Sequence, residues 1–256
     1  MSAVVETISS RGGAWRRIVL GGGRGNLLSL ELIRALGEQI HKLESERGIK
    51  WLTIEGSGGE FSYGARIQEH TPEMMQTALP ETQRIIKRVL AFPAPTAALV
   101  EGRCLGGGFE LALACDDIIS TEDAAFGLPE IRLAAFPPAA VALLPLRVGA
   151  SRATRAIVSG QTQSAAYWHD AGLLSMVAPR ASLLDAAASW FDAQLAPHSA
   201  IALSHAAAAA RLTVRAQAEP ALDRAERDYL SGLLKTKDAA EGVNAWLEKR
   251  APKWEQ

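Results

Sequence analysis

The chain has 256 residues, 48% of them hydrophobic and 21% charged, with a formal net charge of -1. That size suits one compact core with an extension, and the composition lies far from the low-hydrophobicity, high-charge range of disordered chains. Near-neutral charge excludes a broad basic field for nucleic acid, and no run of about 18 apolar residues marks a membrane span. Residues 1–14 are a mixed, polar start with no apolar run, so no secretory leader is expected. Two cysteines, Cys104 and Cys115, are too few for a disulfide framework or a cysteine-rich zinc site, and they fit a reducing, cytoplasmic setting. Short β-rich runs follow at residues 15–20, 51–55, 96–100 and 118–120. Between the first two, residues 29–46 carry Leu30, Ile33, Leu36, Ile40 and Leu43 at three- and four-residue steps behind a capping Ser29, which predicts a helix. Strand and helix alternate to about residue 180. Beyond it the chain is alanine-rich, strand-poor and helix-compatible throughout, with residues 206–210 read as helix because alanine is the best helix former. The expectation is an α/β core over residues 1–180 and a helical region over 181–256.

The chemistry is concentrated in residues 100–116, where a strand end runs through Gly106, Gly107 and Gly108 into an apolar helix. Glycines let backbone N–H groups approach a ligand closely, and a helix beginning at Gly107 adds its positive end; the product is an oxyanion or anion site. A tight strand-to-helix turn with close packing explains the same residues. No Gly-Lys-Ser/Thr follows, so the segment is not a nucleotide P-loop. A second candidate donor is Ala65, behind the permissive Gly64. Glu110, in the first turn of the helix, complements the macrodipole or does acid–base work; Glu130, after Pro129, is a solvated loop acid or its counterpart. Adding water to a double bond needs a base for the water and an acid for carbon, and two carboxylates in different environments can divide those tasks. The tail places Trp246 and Trp254 among Lys237, Lys249, Arg250 and Lys253. That cluster complements a helix end, or contacts a phosphate or a neighbouring subunit.

In order along the chain, Asn26-Leu-Leu-Ser29, Phe61-Ser-Tyr-Gly-Ala65, Gly106-Gly-Gly-Phe-Glu110, Asp116, Phe126-Gly-Leu-Pro-Glu130, Gly160 and Ala171-Gly-Leu173 resemble the crotonase, or enoyl-CoA hydratase/isomerase, superfamily. The resemblance implies an α/β spiral of ββα units with a C-terminal helical trimerisation region, assembled as a homotrimer or a dimer of trimers. It puts the oxyanion-hole amides on Ala65 and Gly107 and the catalytic pair on Glu110 and Glu130; which acid is the base stays open. Its substrate is an acyl-CoA thioester, with coenzyme A as carrier, no other cofactor and no metal. Arg24, Arg66, Ile67, Trp246 and Lys249 fall at positions expected to bind the substrate. Gln68 stands where many relatives carry lysine, which shifts a phosphate contact toward Arg66 or Arg24. After Glu130 many hydratases have a glycine-rich turn, whereas this chain reads Leu133-Ala-Ala-Phe-Pro-Pro-Ala-Ala140. Phe136 and Pro137 would make that wall stiff and apolar, suited to a flat acyl group; drift in a packing turn is the alternative. With Cys104-Leu-Gly-Gly-Gly108 and the ending from Lys237 to Trp254, this turn is similar to members that hydrate cyclohexa-1,5-diene-1-carbonyl-CoA. Other readings are a short-chain enoyl-CoA hydratase or isomerase, a non-catalytic binding protein of the same fold, and a thiol nucleophile at Cys104.

Overall fold

The computed structural model describes residues 4–21 and 23–255. The chain opens with β1 (Val4–Ser10) and β2 (Trp15–Gly21), then α1 (Leu30–Glu44), β3 (Trp51–Gly56), α2 (Pro72–Leu90), β4 (Thr96–Val100) and β5 (Arg103–Leu105). Next come α3 (Gly107–Ala114), β6 (Asp117–Thr121), β7 (Ala125–Gly127), α4 (Pro138–Val148), α5 (Ala150–Ser159), β8 (Thr162–Ser164), α6 (Ala165–Asp170) and β9 (Met176–Ala178). Four helices finish it: α7 (Leu183–Gln194), α8 (Ala200–Ala210), α9 (Leu212–Ser231) and α10 (Lys237–Leu247).

The main sheet has the order β1-β2-β3-β4-β6-β9, parallel except for the β1–β2 pair. The four β-rich runs of the sequence are β2, β3, β4 and β6. β4 is buried at every position because helices cover both faces of a parallel sheet, whereas β1 is an edge strand with one covered face. β1 lies in the mixed, polar start, outside the four β-rich runs, and its sequence becomes a strand by pairing with β2 over the register Val4↔Gly21 to Ser10↔Trp15.

α1 starts where its cap predicts, with the Ser29 hydroxyl accepting from the Leu32 amide at 3.2 Å and Leu32, Ile33, Leu36, Ile40 and Leu43 buried. Gly37 lets α2 come close: a Cβ there would sit 2.7 Å from Ile85 Cδ1. α3 is apolar on all sides and buried accordingly.

The C-terminal helices pack on the same cores as the sheet. Leu183, Ala187 and Phe191 of α7 join Trp15 and Trp51, with the Trp15 and Phe191 rings stacked at 5.7 Å. α9 lies along α4 and α2, burying Ala218 and Leu222. Its start is pinned by Arg211, whose buried guanidinium donates to both carboxylate oxygens of Asp116 and to the carbonyls of Phe92 and Ala94. Asp116 also accepts from the Thr96 amide at 2.7 Å. This ion pair, its arginine buried and its aspartate reaching the surface, fixes where α9 leaves the core, and so where its far end lands.

Candidate active site

A ledge of adjacent backbones forms at the C-terminal ends of the parallel strands. β5, β7 and β8 make a small sheet of three-residue strands, extended by the bridges Ser62↔Cys104 and Leu28↔Ala65. Leu28 N donates to Gly64 O at 2.9 Å, and Leu105 N donates to Ser62 O at 2.8 Å. Buried Asn26 holds the loop from behind, its amide donating to Ser57 O and Glu60 O at 2.9 and 2.8 Å. Two glycines make the approach possible. Gly64 has φ 88° and a Cβ there would lie 2.8 Å from Leu105 O; Gly106 has φ 51° and a Cβ there would lie 2.7 Å from Glu130 Oε1.

This ledge brings the two expected amides together. A Cβ placed on Gly107 would be 3.7 Å from Ala65 N and 3.7 Å from Glu110 Oε2. Among the described residues, neither the Ala65 nor the Gly107 N–H meets a protein acceptor, whereas the Gly106 amide is committed to Gly127 O at 2.8 Å. The two unshared amides lie side by side, that of Gly107 at the start of α3, and the point between them could take negative charge developing on a carbonyl oxygen.

The carboxylates flank that point in different surroundings. Glu110, 6% exposed, has its Oε1 held by the Ala139 and Ala140 amides at 2.6 and 3.0 Å. Burial raises its pKa, and those two donors pull it part of the way back. Glu130 is raised further, by burial and then by the Glu110 charge. Its Oε2 is buried with no hydrogen-bond partner among the described residues. The two therefore titrate as one coupled pair, above the usual carboxylate range.

Two chambers meet here. The inner one has this polar floor and an apolar roof: Leu28, Ile33, Met75, Ala78, Leu79, Thr82, Phe136, Pro138 and Tyr229, with Arg66, Glu69 and His70 at its side. Measured as space open to the centre of a water molecule it holds ≈ 60 Å³, several times the ~10–15 Å³ one water needs. The outer chamber, ≈ 200 Å³ on that measure, is lined by Tyr63, Gly64, Ile67, Gly106, Arg132, Leu133 and Trp246, and shares Ala65, His70 and Glu130 with the inner one.

Of the expected site residues, Ala65, Gly107, Glu110, Glu130, Arg66 and Phe136 line the inner chamber, and Ile67 and Trp246 the outer. Arg24 and Lys249 are exposed and lie outside both walls. Pro137 is buried at the cap of α4 and lies outside both walls, whereas the next ring, Pro138, lines the inner chamber. Sequence reading also missed Tyr229, which reaches the site from α9 across a hundred residues, and the α2 row Met75, Ala78, Leu79 and Thr82. That row has helical spacing, but nothing in its residue types separates a cavity wall from core. Cys104 is fully buried, and burial holds its thiol well above the ordinary range, which removes the thiol-nucleophile alternative. No cluster of three potential metal ligands occurs among the described residues, and no helix there is long and apolar enough to cross a membrane.

Known proteins match this chain over nearly its whole length. A family model for enoyl-CoA hydratase/isomerase matches residues 23–256. The cyclohexa-1,5-dienecarbonyl-CoA hydratase of Thauera aromatica is 35% identical over 99% of this chain and 98% of its own. The 2,3-dehydroadipyl-CoA hydratase of Escherichia coli is 34% identical, with 89% of each chain covered. Among solved structures, an enoyl-CoA hydratase from Mycobacterium avium subsp. paratuberculosis superposes with a TM-score of 0.86 at 27% identity, covering 98% of both chains. The α/β core with its helical C-terminal part is thus the crotonase fold. The chain belongs to the enoyl-CoA hydratase/isomerase family.

Proposed function

We propose that this protein adds water to a conjugated enoyl- or dienoyl-CoA, and that its substrate is the flat ring of cyclohexa-1,5-diene-1-carbonyl-CoA. The carrying observation is the convergence of two unshared amides, Ala65 and Gly107, beside two carboxyl groups in unlike surroundings, Glu110 with two backbone donors and Glu130 with a buried oxygen that has none among the described residues. The amides take the thioester oxygen and stabilise the enolate charge that grows there. Glu110, whose two backbone donors favour its ionised form against burial, accepts a proton from water as the water oxygen bonds to the β-carbon. Glu130 gives its proton to carbon: the α-carbon of a simple enolate, or the far end of a cyclic dienolate. One proton has then passed to Glu110 and one has left Glu130, and exchange between them resets the pair.

The ring assignment is supported by the Thauera relative's name and by the roof, where Phe136 meets Tyr229 edge-on at 5.3 Å. The outer chamber is the proposed path for the pantetheine arm, with Trp246, 48% exposed, at its mouth near the adenine end. Arg66, Arg24 and Lys249 are proposed partners for the phosphates; coenzyme A enters only as the substrate's carrier, with no other cofactor. Residues 181–256 are proposed as the trimerisation region, since α8 buries none of its residues within the protomer and exposes Ile201 at 73%. Cytoplasmic residence, without nucleic-acid or membrane partners, completes the reading.

The test is turnover of crotonyl-CoA against cyclohexa-1,5-diene-1-carbonyl-CoA under identical conditions. A higher kcat/KM for the cyclic thioester is expected. Strong preference for crotonyl-CoA defeats the ring assignment and leaves an ordinary short-chain hydratase.

A further inference from the structure

In the proposed reaction Glu110 takes a proton from water and the Glu130 proton is directed at carbon, so in this apolar chamber the water oxygen needs a donor from outside the pair. The wall offers few. The Ala139 and Ala140 amides are spent on Glu110, and Pro138 has no N–H. The Thr82 hydroxyl donates to Ala78 O at 2.8 Å. Glu69 is an acceptor, engaged with the Leu30 amide at 2.8 Å, and the exposed Arg66 lies 4.0 Å from it. His70 Nδ1 is 3.3 Å from Arg66 O, so its N–H is directed there and Nε2 is left as an acceptor. The Ala65 and Gly107 amides serve the thioester oxygen.

Arg66 is exposed, and Tyr229 is the remaining buried side-chain donor of the inner chamber. Its side chain is 4% exposed, lines the inner chamber with Glu110 and Glu130, and is fixed edge-on against Phe136. Among the described residues its hydroxyl has no hydrogen-bond partner. Burial and then the two carboxylates raise its pKa, so the phenol stays protonated at every working pH.

Resting on the hydratase reading above, the structure assigns Tyr229 as the residue that positions the reacting water, donating its phenolic hydrogen to the oxygen that becomes the substrate's new hydroxyl. No proton leaves the phenol: water's proton goes to Glu110, carbon's comes from Glu130, and Tyr229 fixes the oxygen between them. In the dehydration direction the same bond supports the departing hydroxide.

Tyr229→Phe keeps the ring, its burial and its contact with Phe136, and removes only the hydroxyl. The expected outcome is a kcat for hydration about 10–100-fold lower, in the range for one lost hydrogen bond to a reacting oxygen. Affinity for a saturated acyl-CoA should hold within about twofold, while affinity for the β-hydroxyacyl-CoA product falls about 5–10-fold. A merely structural role would weaken both thioesters alike. In a Glu130→Gln background the same substitution should cost much less, because both residues hold one water. Unchanged kcat, or equal loss of affinity for both thioesters, overturns the assignment. If the wild-type protein hydrates neither crotonyl-CoA nor the cyclic dienoyl-CoA, the hydratase reading has failed; if it hydrates one and Tyr229→Phe matches it, only the role of Tyr229 has.

Discussion

The floor and the roof of the inner chamber are built by opposite means. The floor is backbone: Gly64, Ala65, Gly106 and Gly107 are brought together by short bridges and by glycines where no side chain fits, and Glu130 and Glu110 stand against Gly106 and Gly107. The roof is side chains from α1, α2, the turn before α4 and the far end of α9, joined only by packing. A floor made of main-chain donors cannot be retuned without losing its chemistry, while a roof of apolar side chains can be reshaped residue by residue. The division suggests where this chain keeps its reaction and where it sets its substrate.

Substitutions in the floor should therefore strike turnover, beginning with the acids. Glu110→Gln and Glu130→Gln should each lower kcat by about 10²–10⁴, the usual worth of an acid–base group, with thioester affinity little changed; near-normal kcat in both would break the comparison at its base. Ala65→Pro deletes one oxyanion donor and should cost about 10²–10³ in kcat. In the roof, Phe136→Ala should shift the ratio of kcat/KM between cyclic and linear thioesters by about 10-fold while sparing turnover of crotonyl-CoA. A loss of turnover as large as the floor variants show would mean that roof and floor act as one unit.

The smallest effect is on stability. Burial pushes Glu110 up to about 7 and Glu130 up to about 8. A raised carboxyl pKa means the folded state holds a proton that the unfolded chain releases above about 4.5, so stability is full below that pH and falls as pH rises toward the folded values. Glu130→Gln removes the Glu130 share of this loss. Its melting temperature should match the wild type's at pH 5 and exceed it by a few degrees at pH 8; an equal offset at both pH values would place the cost elsewhere. The same two values predict a bell-shaped kcat/KM with both limbs close to neutrality.

What could be read in the sequence follows the same division. The floor is local: three consecutive glycines before an apolar helix, a glycine before Ala65, and an acid in each expected turn are visible as short motifs. The large strands and the capped α1 are also legible, because apolar periodicity and a Ser29 cap act within one segment. Strands of three residues, such as β5 and β7, carry too little pattern to register. β1 is a strand only because β2 pairs with it. Tyr229 reaches the site because Arg211 anchors α9 to Asp116, a contact nothing in the neighbourhood of residue 229 announces. The Pro137–Pro138 pair has the same root: composition cannot say which of two adjacent rings lines the chamber.

The central claim is that the Ala65 and Gly107 amides polarise one thioester carbonyl. The direct measurement is the carbonyl stretching band of a carbon-13-labelled, unreactive acyl-CoA bound to the wild-type protein and to Ala65→Pro. The band should move to lower frequency on binding by more than it does when the same thioester passes from hexane to water, and most of that shift should vanish in the variant. A band that stays at its aqueous frequency in the wild-type complex, with binding shown to be complete, would contradict the account.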